Sequence, residues 1–178
     1  MISKNIIKLI DETIVPAVAL IVAKMVGLFT AAYFFNLQFT IKNADILLVL
    51  PSVKFASIAD YTLAENFSNV AMFVVVALGT LFVLVRAHFF HESHIHPHLQ
   101  ARLAALNLES LIAPSYHLYH QAIIWLIFLW LTTGFLLVST IVLSVTYPLV
   151  SAVAFIVSAN FSWILALDVE KEVEIGKA

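Results

Sequence analysis

The chain has 178 residues, of which 62% are hydrophobic and 11% charged, a balance far from that of soluble globular domains. A formal net charge of -2 leaves no basic patch to neutralise phosphates, which excludes nucleic acid as a partner. With no Cys, disulfides, iron–sulfur clusters and thiolate zinc sites are excluded, so any metal must be held by nitrogen and oxygen.

These limits predict an all-α integral membrane protein whose partner is the lipid bilayer. The length suits a four-helix transmembrane bundle, one membrane domain over residues 1–178, with little left for a soluble domain. The first span is expected at 14–35. Met1 to Lys8 lead into an apolar run that continues to Phe35 without a convincing cleavage site, which predicts a retained helix rather than a secretory signal. Pro16 falls near its membrane entry, where a kink is tolerable.

Lys24 then falls near mid-membrane, where an ammonium costs at least about 2.5 kcal/mol unless it is paired or reaches water. A proton relay, an anion site or an ion pair with another subunit would use the charge; snorkelling towards the surface would merely tolerate it. No Asp or Glu falls inside the other three expected spans, so the internal candidates are the neutral Asn160, Ser158, Thr132 and Thr133, and a second subunit or a water-filled cavity would serve better. Between spans one and two, Ile46 to Leu50 is too short to cross and is stopped by Pro51, so residues 36–61 are expected to lie in the interface or to re-enter partly.

The second span is expected at 66–87. Thr62 and Glu65 have the spacing of a capping box, which places the helix start there and assigns Glu65 to capping. Nothing from Arg86 to Ile95 breaks a helix, so the run is expected to continue to Pro97 and to carry His88, His91 and His94. After Pro97, Leu99, Leu103, Leu106 and Leu111 recur at near-helical spacing, which predicts a short interfacial helix between spans two and three. The third and fourth spans are expected at 117–143 and 146–167, joined by a tight turn. In the fourth, Asn160 and the series Ser151, Ser158, Ser162 favour helix–helix packing, with a site role for Asn160 as the other reading.

All seven histidines lie between His88 and His120, in the polar connection 88–116 and the start of span three. His88 and His91 are three apart with Glu92 four from His88, and His117 and His120 repeat the three-residue spacing where helix three enters. Imidazole with carboxylate suits Fe, Zn, Cu or Mn, so His88, His91, Glu92, His117 and His120 are the candidate ligands of a transition-metal site. One His from each of two helices, His91 and His120, would serve a haem b instead. The run His91-Glu92-Ser93-His94 puts its second His one residue early for the H-E-x-x-H of zinc proteases. The plain alternative is an interfacial belt of Tyr116, His117, Tyr119 and His120.

Basic residues divide as Lys4, Lys8, Arg86, Arg102, Lys171 and Lys177 on one side against Lys42 and Lys54 on the other, which predicts cytoplasmic termini and a cytoplasmic histidine edge. The acidic tail Asp168, Glu170, Glu172 and Glu174 emerges on that same side, as a solvated helix end or as a source of a carboxylate for the cluster. Two functions follow: a membrane protein with a transition-metal site open to redox chemistry, or a structural or haem-bearing anchor subunit. The second would form a homo-oligomer or dock on a partner subunit through Lys24. Ligand chemistry by itself does not separate storage, transport and catalysis.

Overall fold

The computed structural model describes residues 2–42, 52–90, 95–142, 144 and 146–175. Four long helices carry the fold: α1 (Ile2–Phe34), α2 (Ile58–Phe89), α4 (Ser115–Ile141) and α5 (Pro148–Ile175). Each contains a stretch long and apolar enough to cross a membrane, Glu12–Phe34 in α1 and Pro148–Glu174 in α5 among them. A short α3 (Pro97–Ala105) with Pro97 in its first turn follows α2, as the leucine spacing predicts.

Asparagine ends both α1 and α3. Asn36 and Asn107 take φ of 49° and 54°, the left-handed conformation that Asn tolerates better than most residues. Behind each, the next amide reaches back to the helix: Leu37 N–H donates to the Ala32 carbonyl at 2.9 Å, and Leu108 N–H to that of Leu103 at 2.8 Å.

The first connection and both ends of α2 differ from expectation. The first connection contains an antiparallel pair that the sequence pattern does not anticipate, β1 (Phe39–Lys42) with β2 (Ser52–Phe55), in register Phe39 with Phe55; Ile46 to Leu50 lie outside the described residues. Helix α2 starts at Ile58, not at Thr62, because Ser57 caps it by accepting the Asp60 amide at 3.0 Å. Glu65 is therefore inside the helix and released from capping. At the other end α2 stops at Phe89, so of His88, His91 and His94 it is His88 that the structure places on the helix; His91 and His94 lie outside the described residues.

Helix α2 packs on α1, α4 and α5, and α1 also touches α4. The chain runs up and down: Thr133 meets Ser158 at 2.8 Å in mid-bundle while Ser115 meets Glu172 at 2.9 Å at one end. Phe73 and Val76 of α2 pack with Leu129 and Leu136 of α4 and Ala154 of α5. Close approach is set by glycine: a Cβ on Gly27 would lie 2.7 Å from the Ser68 Cα. Hydroxyls add short links between helices, as where Ser151 donates to the Leu136 carbonyl at 3.0 Å.

Candidate functional site

Polar side chains gather at both ends of the bundle. At the end where α4 turns into α5, the Lys24 ammonium is paired with Glu65 and donates to Asn69 Oδ1 at 2.5 Å. Asn69 Nδ2 in turn donates to Thr146 Oγ1 at 3.3 Å, and the Tyr147 amide donates to Asn66 Oδ1 at 3.1 Å. Ser68 closes the group by donating to the Lys24 carbonyl at 2.7 Å. The partner of Lys24 is thus a carboxylate of its own chain. The sequence pattern assigns Glu65 to capping, and the structure frees it because α2 is capped at Ser57, five residues before Thr62. Through Asn69 and Thr146, the ammonium is also tied to the level of the α4–α5 turn rather than to the middle of the bundle.

The opposite end holds the histidines. His88 Nδ1 lies 2.9 Å from Asp168 Oδ1 and joins α2 to α5. His120 Nδ1 lies 2.6 Å from Glu12 Oε2 and joins α4 to α1. An ionised carboxylate only accepts, so opposite one Nδ1 is assigned the proton, and in the neutral ring Nε2 then keeps its lone pair. The His88 side chain is 46% exposed and that of His120 32%, whereas the carboxylates of Asp168 and Glu12 are at 9% and 12%. Enclosed carboxyl groups therefore hold partly exposed imidazoles.

Asp168 is the most enclosed of these acids, and its second oxygen, Oδ2, is buried with no hydrogen-bond partner among the described residues. The Tyr119 hydroxyl donates to the Asp168 carbonyl at 3.5 Å. Beside the His88 pair, an apolar groove of about 270 Å³ runs between α2 and α5, with Leu84, Phe89 and Leu167 on its walls and Lys171 at its rim. Arg86 braces the edge by donating to the Leu111 carbonyl at 2.9 Å and to that of Ser110 at 3.1 Å. These bonds, with the Ala113 amide on the Phe90 carbonyl at 3.3 Å, pin the segment after α3 to the end of α2.

Of the candidate ligands, His88, His117 and His120 are placed on α2 and α4, while His91 and Glu92 lie outside the described residues. Among the described residues, no three His, Asp or Glu side chains come together as a group that could hold a metal ion. The tail acids divide: Asp168 takes His88 and Glu172 accepts from Ser115 Oγ at 2.9 Å, while Glu170 and Glu174 are exposed, as a solvated helix end would be. Glu12 is the residue that sequence reasoning passed over. Its signal is positional, since an upward α1 must begin at the depth where an upward α4 begins. Asn160 faces outward from α5, its amide nitrogen donating to the Ile156 carbonyl of its own helix at 2.7 Å, so it does not pack inside the bundle.

Comparison with protein-family models, with curated proteins and with solved structures finds no match.

Proposed function

We propose that this chain is a polytopic integral membrane protein that binds a divalent transition metal at its histidine edge, on the cytoplasmic face. The observation that carries the reading is the shared posture of His88 and His120. Each donates Nδ1–H to an enclosed carboxylate, which fixes tautomer and ring orientation and makes Nε2 a better donor. That is the arrangement in which metal-binding imidazoles are commonly held. His117, His91 and Glu92 are the further ligands in this reading. Fe, Zn, Cu and Mn all accept such a nitrogen and oxygen set.

Metal binding to the purified chain, without a histidine tag, tests the proposal. Ala at both His88 and His120 should abolish stoichiometric binding while helicity stays near that of the parent. Gln at Glu12 together with Asn at Asp168 should weaken it about 10- to 100-fold, because the rings lose their orientation. Stoichiometric binding by the double Ala variant would overturn the assignment.

A second reading has its own observation. The described residues bring the imidazoles together with carboxylates in pairs and not in threes, which suits interhelical clamps tying α1 to α4 and α2 to α5. Under that reading the same substitutions lower stability and leave a chain that never bound metal. An anchor subunit docked through Lys24 loses its main argument, since Glu65 and Asn69 already answer the ammonium.

A further inference from the structure

Helix α5, like the other long helices, turns an apolar face away from the bundle, and this one carries a carboxamide. Leu149, Val153, Ile156, Asn160, Trp163 and Leu167 are all exposed, and all but Asn160 are large and apolar. Their spacing alternates between four and three residues throughout. That is the a/d repeat of a left-handed coiled-coil seam, with Val153, Asn160 and Leu167 at a and Leu149, Ile156 and Trp163 at d. From Leu149 to Leu167 the seam is about 27 Å long, close to the hydrocarbon thickness of a bilayer.

Asn160 sits near the centre of this seam. Its Nδ2 donates one hydrogen to the Ile156 carbonyl, which leaves the second hydrogen free, and Oδ1 has no partner among the described residues. With α5 crossing a bilayer, as the proposed function has it, that amide faces hydrocarbon, where an unmet polar group is costly. Among the described residues nothing else meets this amide on the outward side.

We infer that the α5 seam is the interface with a second copy of this chain, parallel and two-fold related, with the two Asn160 amides hydrogen-bonded to each other across it. The occupant follows from chemistry and depth. A carboxamide carries both a donor and an acceptor and is its own complement across a two-fold axis. Two copies inserted in the same direction bring Asn160 to the same depth without further adjustment. A single Asn at an a position then sets the register of the pair, while the apolar positions fill the space above and below it.

The chain contains no Cys, so single cysteines report contacts cleanly. Full-length chain bearing Ile156→Cys, in membranes, is expected to cross-link to a dimer under mild oxidation, and Phe155→Cys, also exposed but turned off the seam towards Trp130 of α4, is not. Resistance of the chain to alkaline carbonate extraction from the same membranes establishes insertion separately, so a failed cross-link counts against the seam alone. In a second measurement, dimer dissociation followed by fluorescence transfer in bilayers should rise about 3- to 30-fold in dissociation constant for Asn160→Leu. Equal cross-linking at 155 and 156, no cross-link at 156, or an unchanged dissociation constant would each overturn the inference.

Discussion

The two polar ends of the bundle use similar side chains to different effect. At the Lys24 end, the cation, the acid and the two asparagines of α2 are all engaged, and their partners come from α1, α2 and the α4–α5 turn. At the histidine edge, each carboxylate is enclosed but each imidazole is only half covered, and Asp168 Oδ2 is left unmatched among the described residues. A network that closes on itself specifies packing, whereas one that holds donor atoms ready at a surface is equipped to receive something. Charge alone therefore does not mark a site; what matters is whether the chain has already answered it.

The difference can be broken most forcefully at the closed end. Glu65→Leu leaves the Lys24 ammonium with an amide and no counter-charge, and should lower unfolding free energy in detergent by about 2–3 kcal/mol, below the full cost of a wholly buried pair since both side chains keep some exposure. Adding Lys24→Met to that variant should recover most of the loss, because two well-packed apolar residues replace a pair whose desolvation was costly. If the double variant is no more stable than Glu65→Leu alone, the closed network is not what holds this end.

A smaller effect is expected where α1 meets α2 next to that network. Gly27→Ala would bring a Cβ to 2.7 Å from the Ser68 Cα, and backbone gives way poorly, so a loss of about 1–3 kcal/mol should appear in the same unfolding assay. Smaller still is the cap that frees Glu65: Ser57→Ala should cost about 1 kcal/mol, whereas Thr62→Ala should remove no cap at all. Equal losses at the two positions would restore the later helix start and return Glu65 to capping.

How far these features are legible in the sequence depends on the range of the interaction. Apolar length and proline position mark all four long helices and the short α3, because hydrophobicity over 20 residues is a property of the segment itself. The Thr62 and Glu65 spacing misleads because Ser57 offers an earlier cap of the same chemistry, and local pattern does not rank two competing caps. Lys24 advertises a need for a partner, yet naming Glu65 requires the rotation of α2 against α1, which is set by packing at Gly27 and Ser68. Asp168 could be proposed for the histidine edge because the tail emerges there, while the signal for Glu12 is depth alone, which does not single out His120 as its neighbour. The seam on α5 was present in the spacing throughout but has meaning only once Asn160 is seen to face outward.

The central claim is that the histidine edge, and not the Lys24 end, is where the chain meets a ligand. The measurement that tests it most directly is elemental analysis with an optical spectrum of the untagged chain, purified in mild detergent without chelator and then supplied with metal. The account predicts a stoichiometric transition metal without a Soret band, lost when His88 and His120 are both Ala and retained in the Lys24→Met, Glu65→Leu variant. A Soret band would move the assignment to haem, and absence of any metal after loading would contradict the claim and leave the histidine–carboxylate pairs as clamps between helices.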